Sequence, residues 1–202
     1  MLFLASASPR RQQLIALLGL PYRIEPSLYD EPAAPRQSVH LPSLVMHLAQ
    51  EKAKEAASRC RDGIVIGADT LVGPDSETGA PMGKPSCREE AVSMLQNLSG
   101  CTHRVYTGIA LLPIGSTNAP NHPRVEAVCT KVRFRMLHPD EIESYVASGE
   151  PMDKAGSYGV QGYAAPFVEH LEGDFYNVMG LPLCRLSQLL RELGAYPTQQ
   201  NG

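Results

Sequence analysis

Aromatic side chains and long apolar runs are scarce in this chain. It has no tryptophan and four phenylalanines among 202 residues, and no apolar run reaches the length of a membrane span. Stacking on nucleic-acid bases needs aromatic rings, and a net charge of −3 gives no broad surface for nucleic acid or anionic lipid. Neither a nucleic acid nor a membrane is expected as a partner, so any phosphate binding must be local.

Cysteine pairs at metal-binding or redox spacing are also absent. The five cysteines are odd in number, scattered and never spaced as Cys-x-x-Cys, which argues against a zinc site or a disulfide framework. The arginines Arg10 and Arg11 come too early for a signal-peptide core to precede them, and a cytoplasmic location is predicted. The length and the 43% hydrophobic content predict a single domain over residues 1–195, with a frayed tail at 196–202.

The opening of the chain predicts a strand that turns into a helix. The apolar run at 2–4 is typical of a short buried strand, and Ser8 and Pro9 are suited to begin a helix. Arg10 and Arg11 then lie in its first turn, where each cation costs about 0.3–1 kcal/mol because that end of a helix is already positive. A phosphate bound by this turn and by the amides after Ser8 would explain both arginines. The alternative is that they are ordinary surface charges.

The clearest strand is the apolar, β-branched run at 63–72, which predicts a central strand covered by helices. Asp69 and Thr70 lie near its carboxyl end, where open α/β sheets bind ligands, so Asp69 is a candidate base or metal ligand. Capping of a turn is the alternative for Asp69. Lys52 falls on the apolar face of a helix predicted from Ser43, where it either extends its ammonium to solvent or binds an anion.

Two loops carry further candidates. The proline-rich segment 27–42 contains the acidic pair Asp30 and Glu31, which either is solvated or binds a metal or substrate. The glycine-rich segment 149–162 carries a lysine, an aspartate and Gln161, and this composition is more typical of a binding loop than of a linker.

The remaining elements complete an alternating pattern of helices and strands. Ser86-x-x-Glu89 is a capping box that predicts a helix after it, and further helices are predicted from His138 and Leu181. The segment 113–123 is predicted to be an exposed loop. Strand-like runs lie at 104–112, 125–134 and 165–171.

Taken in order, these motifs resemble those of the Maf family of nucleotide pyrophosphatases. The matching segments are Leu4–Arg11, Glu51–Ala53, Ile66–Thr70, Gly83–Pro85, Leu98–Gly100, His103–Gly108, Asp153–Gly162 and Val178–Leu183. The resemblance implies an α/β fold with a mixed, twisted sheet flanked by helices, like that of the inosine triphosphate pyrophosphatases, with the active site between two lobes. It also implies cleavage of a nucleoside triphosphate to the monophosphate and pyrophosphate, with a divalent cation.

The resemblance also implies roles for individual residues. Asp69 is the implied proton acceptor, and Glu31 is expected to join it in holding Mg²⁺ or Mn²⁺, which such ligands suit about equally. Positive charge is needed to offset a triphosphate on an acidic protein. The residues expected to bind the triphosphate are Ser8, Arg10, Arg11, Lys52 and Lys84.

Substrate preference is implied by three positions. Arg10, Thr70 and Gln161 match the branch of the family that resembles dTTP and UTP pyrophosphatases, whereas the 7-methyl-GTP branch has a bulky residue, Gln and Glu there. The amide of Gln161 offers one donor and one acceptor, which suits the O4 and N3–H edge of uracil or thymine. Preference for 7-methyl-GTP or CTP stays open, as does a nucleotide-binding regulator of septum formation without turnover. A homodimer is the default expectation.

Overall fold

The computed structural model describes residues 1–31, 37–115 and 122–196. The strands are β1 (Leu2–Leu4), β2 (Tyr22–Ile24), β3 (Val39–His40), β4 (Gly63–Pro74), β5 (Thr78–Gly79), β6 (Thr102–Ile114), β7 (Arg124–Phe134) and β8 (Val168–Glu172). The helices are α1 (Pro9–Ala16), α2 (Leu41–Ala57), α3 (Arg88–Leu98), α4 (Pro139–Ala147), α5 (Phe175–Met179) and α6 (Leu183–Glu192). Within these ranges, no helix has the length and apolar character needed to cross a bilayer. Most of the predicted loop 113–123, and the predicted tail beyond Tyr196, lie outside the described residues.

Six strands form one mixed sheet in the order β2-β1-β4-β6-β7-β8. Strand β1 pairs parallel with β2 and β4, whereas β4, β6, β7 and β8 pair antiparallel in succession. The pairing of β1 with β4 stops at Leu4 opposite Ile66, and β4 then continues to Pro74 without β1 beside it. The predicted mixed α/β fold is confirmed, and the open edge of β4 beyond Ile66 is where the sheet leaves room for a ligand.

The helices cover both faces of this sheet. On one face, Ile64 and Ile66 of β4 pack with buried residues of α1 and α6, and further along the same face Val72 packs with residues of α3 and α4. On the other face, Val65 packs against three alanines of α2. Met179 borders both clusters of the first face. The sheet therefore has two adjoining cores on one face and helix α2 on the other.

Helix α2 lies very close to the sheet because two strand residues beneath it are glycines. A Cβ at Gly67 of β4 would lie 2.1 Å from the Ala49 oxygen, and a Cβ at Gly108 of β6 would lie 2.1 Å from the Val45 oxygen. Any side chain at either place would push the helix backbone away from the strands. This close approach brings Lys52, on the next turn of α2, to the edge of β4.

The start of α2 differs from the prediction. The helix begins at Leu41 instead of Ser43. A proline is tolerated in the first turn of a helix, so Pro42 lies within α2 and not in the loop before it. The His40 side chain accepts the backbone N–H of Ser43 at 3.3 Å and caps this end.

One further local prediction is wrong, and one helix was missed. Helix α3 begins at Arg88, and the carboxylate of Glu90, not that of Glu89, accepts the Ser86 N–H and hydroxyl at 2.6 Å each. The short helix α5 was not predicted. Asp174 caps it by accepting the N–H of Tyr176 at 2.8 Å, which is a local signal that was available in the sequence.

Candidate active site

A cavity of about 680 Å³ lies where β1 ends and β4 continues. Its volume is within the range of small-molecule sites. The residues predicted from the sequence as site residues come from six separate segments of the chain, and all of them line this cavity: Ser8, Arg10, Arg11, Glu31, Lys52, Asp69, Thr70, Lys84 and Gln161. The fold therefore brings the predicted residues together, while the role of each stays a prediction.

Asp69 and Thr70 reach the cavity from opposite faces of β4. Consecutive residues of a strand point to opposite sides, and here Asp69 meets Lys52 of α2 while Thr70 meets Arg11 of α1. Both faces are accessible from one cavity because β1 does not cover this part of β4. Asp69 pairs with Gly108 within the sheet, so the alternative that it caps a turn is wrong.

Lys52 joins two carboxylates. Its Nζ donates to Asp69 Oδ1 at 2.6 Å and also contacts Glu31 Oε1. The side chains of Lys52 and Asp69 are 12% and 8% exposed. Removing one partner of such a buried pair leaves an uncompensated charge, which typically costs about 3–5 kcal/mol. The ammonium group of Lys52 therefore holds the Asp69 carboxylate in one orientation.

The second carboxylate oxygen of Asp69 is buried and has no hydrogen-bond partner among the described residues. A buried oxygen of this kind is costly unless a water or a cation binds it. Across the described ranges no group of three or more His, Cys, Asp or Glu side chains could hold a metal by itself. Magnesium commonly binds through one or two carboxylates together with substrate phosphates, so Asp69 and Glu31 fit a divalent cation that is bound together with a nucleotide.

Arg11 is fixed in the wall of the cavity by contacts on two sides. Its Nε donates to the Gly180 oxygen at 2.8 Å, and its Nη2 donates to Thr70 Oγ1 at 3.0 Å. Burial lowers the pKa of the Arg11 guanidinium and the nearby Asp69 carboxylate opposes that change, but an arginine stays protonated in either case. The alternative that Arg11 is an ordinary surface charge is wrong.

The Thr70 hydroxyl belongs to a chain of hydrogen bonds. The Thr107 hydroxyl donates its hydrogen to the backbone oxygen of Asn177 at 2.9 Å. In the 2.9 Å contact between the Thr70 and Thr107 hydroxyls, Thr70 must therefore be the donor. The Thr70 oxygen in turn accepts from Arg11. Its hydrogen is therefore already used, and Thr70 can act on a substrate through Arg11 or as an acceptor.

Arg10 crosses the mouth of the cavity to the glycine-rich loop. Its Nη1 donates to Asp153 Oδ2 at 3.0 Å, and Asp153 Oδ1 accepts from Lys154 Nζ at 2.6 Å. Burial by itself would raise the pKa of Asp153, but Lys154 and Arg10 together hold that pKa below its usual value. Arg10 is thus paired with a carboxylate of the glycine-rich loop.

Lys84 and Gln161 line the cavity from exposed segments of the chain, and Ser8 is at the start of α1 as predicted. A bridge between Val72 and Met82 leads the chain back along β4, and this delivers the exposed Lys84. Gln161 is exposed on the glycine-rich loop. Ser8 occupies the N-cap position of α1, its side chain makes no capping bond, and its N–H donates to Ser6 Oγ at 3.2 Å.

The cavity is positive overall although the chain is acidic. Among the described residues its wall contains the cations Arg10, Arg11, Lys52, Lys84 and Lys154 and the anions Glu31, Asp69 and Asp153. An excess of fixed cations in a cleft raises the local concentration of polyanions. The arrangement suits a ligand with several negative charges better than a neutral one.

Several residues that shape the cavity were given no individual role in the prediction, although the lysine and aspartate of segment 149–162 contributed to the expectation of a binding loop. Asp153, Lys154 and Tyr158 line it, and the Gly180 oxygen holds Arg11. All of them lie inside the matching segments 153–162 and 178–183, so the signal was present. What the sequence did not reveal is which members of those segments face the cavity.

The chain is also similar in sequence to known proteins. A family model for Maf-like proteins matches residues 1–193. The chain is 48% identical over 196 residues to a dTTP/UTP pyrophosphatase of Moorella thermoacetica, covering 96% of this chain and 95% of that protein. It is 43% identical over 196 residues to a dTTP/UTP pyrophosphatase of Clostridium botulinum (96% and 97% covered) and 46% identical over 192 residues to one of Bacillus anthracis (95% and 94% covered).

Proposed function

This chain belongs to the Maf-like family, and we propose that it hydrolyses dTTP and UTP to the nucleoside monophosphate and pyrophosphate. The observation that supports this proposal most is the position of Asp69. Its carboxylate is oriented by Lys52, has a buried oxygen without a protein partner among the described residues, and lies in a cavity with an excess of cations. That is the arrangement which hydrolysis of a polyphosphate requires.

The proposed reaction breaks the anhydride bond between the α- and β-phosphates. Asp69 accepts one proton from the attacking water while Lys52 keeps the other carboxylate oxygen occupied. The water oxygen forms the new bond to the α-phosphorus, and pyrophosphate leaves with the electrons of the broken bond. The arginines and Lys84 stabilise the negative charge that develops on pyrophosphate.

We propose that Asp69 and Glu31 would hold a divalent cation, Mg²⁺ or Mn²⁺, together with the substrate phosphates. When bound, it offsets the charge of the triphosphate. Glu31 is 46% exposed, so its side chain can adjust to such an ion more easily than that of Asp69. A cytoplasmic location and a homodimer stay predictions from the sequence.

Gln161 is proposed to read the pyrimidine base. It lies on the exposed loop at the edge of the cavity and carries both a donor and an acceptor. An ionised glutamate at this position would offer acceptors alone, which suits the donor edge of guanine. The uncharged amide of Gln161 therefore supports dTTP and UTP over 7-methyl-GTP.

The test is pyrophosphate release by the purified protein across dTTP, UTP, CTP, dATP, GTP and 7-methyl-GTP, with Mg²⁺, with Mn²⁺ and without added metal. We expect the highest rates with dTTP and UTP, and a requirement for the metal. Preference for 7-methyl-GTP would keep the reaction but overturn the role given to Gln161. No release from any nucleotide with either metal would contradict the proposal and favour the regulator without turnover.

A further inference from the structure

The turn that carries Gln161 is held at both of its ends. The turn itself is closed by a hydrogen bond from the Gly162 N–H to the Gly159 oxygen at 3.0 Å. On one side of Gln161, the Gly159 N–H donates to the Tyr145 hydroxyl at 3.2 Å. On the other side, the Tyr163 N–H donates to Glu150 Oε2 at 3.0 Å. The two supporting side chains come from helix α4 and from the segment just after it.

Tyr145 and Glu150 also bind each other. The Tyr145 hydroxyl donates to Glu150 Oε1 at 3.1 Å, which joins the two supports into one unit. Tyr145 is 5% exposed, and burial followed by the charge of Glu150 raises the pKa of its hydroxyl, so the hydroxyl stays protonated and donates. The backbone N–H groups of Gly159 and Tyr163 are thereby fixed relative to helix α4.

The Glu150 carboxylate occupies space that is free because residue 162 is a glycine. A Cβ at Gly162 would lie 2.1 Å from Glu150 Oε1 and 2.7 Å from Oε2, so the carboxylate occupies the space that any side chain would need. A glycine directly after Gln161 is therefore explained by the close approach of Glu150. Its backbone lies outside the left-handed region, so an alanine at this position would meet the carboxylate without backbone strain.

The same unit is connected to Arg10. The Glu150 backbone oxygen accepts from Lys154 Nζ at 2.6 Å, and Lys154 Nζ also binds the Asp153 carboxylate that holds Arg10. Glu150 thus contacts the loop next to Gln161 through its carboxylate and the Arg10 side through its backbone. Two of the positions that separate substrate branches in the family are linked through this residue.

We propose that Tyr145 and Glu150 are positioning residues for base selectivity, because they hold the turn that presents Gln161. The inference rests on the proposed reading of the base by Gln161. A side-chain amide can present donor and acceptor in either order after a half-turn, and uracil and cytosine differ in that order. In this proposal a fixed turn keeps the amide where the order that fits uracil is favoured, and a turn that is free to move lets the amide adopt the order that fits cytosine as well.

The experiment measures kcat and KM for UTP and CTP on Tyr145→Phe, Glu150→Ala, Glu150→Gln and Gly162→Ala. Loss of one supporting hydrogen bond is expected to lower the ratio of kcat/KM for UTP over CTP about fivefold. The change should appear mainly as a higher KM for UTP, because Asp69 and Lys52 are untouched. Glu150→Gln keeps one carbonyl acceptor, so it should retain more discrimination than Glu150→Ala.

Two control variants separate positioning from general stability. Tyr106→Phe removes another buried hydroxyl, which donates to the Ser76 oxygen at 3.1 Å and does not line the cavity. Glu143→Gln removes an exposed carboxylate from α4. Both should keep the wild-type ratio, even where Tyr106→Phe lowers the melting temperature.

The outcomes are distinguishable. An unchanged ratio in Tyr145→Phe and Glu150→Ala, with Gln161→Ala lowering it, would overturn this inference and leave the proposed function standing. An equal fall in Tyr106→Phe would also overturn it, since the effect would then follow from lost stability. No pyrophosphate release from wild type, or an unchanged ratio in Gln161→Ala, would remove the base-reading premise and the inference with it. If Glu150→Ala does not fold, Tyr145→Phe decides.

Discussion

The two sides of the cavity are built from different kinds of structure. Asp69, Lys52 and Arg11, which we call the phosphate side, lie on β4, α2 and α1 and are held by contacts within the cavity wall. Gln161 and the segment 149–163, which we call the base side, lie on turns and short 3₁₀ segments. Side-chain hydrogen bonds occur on both sides, but the phosphate side is carried by regular elements of the core, whereas the base side is carried by turns that are tied to α4 by side-chain hydrogen bonds.

The difference indicates how one fold can keep its reaction and change its substrate. Moving Lys52 or Asp69 requires a shift of a helix or a central strand, which disturbs the core. Moving Gln161, which is exposed, breaks the hydrogen bonds between Tyr145, Glu150 and the turn and disturbs the packing of Val160 and Ala164 on either side of it, but it shifts no helix or central strand. We therefore expect substitutions on the phosphate side to change the rate for all nucleotides, and substitutions on the base side to change the preference.

The largest effect is expected from Asp69→Asn. An amide cannot accept the proton of the attacking water, so pyrophosphate release from UTP should fall about 10²- to 10⁴-fold. Nucleotide affinity, measured by equilibrium binding without added metal, should be retained because the cations of the wall remain. Asp75→Asn is the control, since Asp75 follows β4 and pairs with Arg104 outside the cavity. A rate in Asp69→Asn equal to wild type would show that Asp69 is not the base.

A smaller effect, on both stability and rate, is expected from Gly67→Ala. The added methyl group would lie 2.1 Å from the Ala49 oxygen, so α2 must move away from the sheet. Overpacking of this kind typically lowers the free energy of unfolding by about 1–3 kcal/mol. UTP turnover should fall as well, because the shift carries Lys52 away from Asp69.

The control for Gly67→Ala is Gly19→Ala. Its Cβ would meet nothing within 4 Å, but its left-handed backbone (φ 67°) is strained with any side chain, at a cost of about 1–2 kcal/mol. This variant should lose comparable stability in urea unfolding and keep its turnover. Normal turnover in Gly67→Ala would mean that the closeness of α2 does not control the phosphate side.

The smallest of these effects is a pH dependence of the free energy of unfolding, which arises at His103 behind the cavity wall. His103 is 1% exposed, its Nε2 lies 2.9 Å from the hydroxyl of Tyr158 in the cavity wall, and burial lowers its pKa to about 4. The unfolded chain binds the proton first, near the ordinary value of about 6.5. The contribution of His103 to stability is therefore complete above pH 6.5 and is lost as the pH falls from 6.5 toward 4.

Urea unfolding between pH 7 and pH 5 measures this dependence. The free energy of unfolding should fall by up to about 1.4 kcal/mol per pH unit, and the slope should be smaller in His103→Gln. His170→Gln, which changes an exposed histidine on β8, should keep the wild-type slope. An identical slope in wild type and His103→Gln would show that His103 is not neutral in the folded protein at pH 5.

The sequence predicted the phosphate side better than the base side, for physical reasons. The apolar run at 63–72 and the helical spacing around Lys52 are periodic signals, and they placed Asp69 on a central strand and Lys52 on a covering helix. That both meet in an ion pair depends on Gly67 and Gly108, whose effect appears only when α2 is packed on the sheet. The direction of each contact is a tertiary property that spacing does not contain.

On the base side, resemblance supplied Gln161 but not the residues that hold it. By its position in the sequence, Tyr145 is one of several buried residues of an amphipathic helix, and Glu150 is a carboxylate of the loop after it. Nothing in the sequence distinguishes either residue as a support for Gln161. Their contacts with Gly159 and Tyr163 join residues 13 or 14 positions apart through turns that have no periodic pattern. The boundary errors at α2 and α3 have a similar origin, since prolines and neighbouring glutamates allow more than one helix start.

The most direct test of the division between the two sides is to measure kcat/KM for UTP and for 7-methyl-GTP on Lys52→Ala and Gln161→Glu. Lys54→Ala, on the same helix but in an exposed pair with Glu51, is the control for Lys52 and should behave as wild type. We predict that Lys52→Ala lowers both values by a similar factor, while Gln161→Glu lowers the value for UTP much more than that for 7-methyl-GTP. A changed preference in Lys52→Ala, or an equal loss for both nucleotides in Gln161→Glu, would contradict the account.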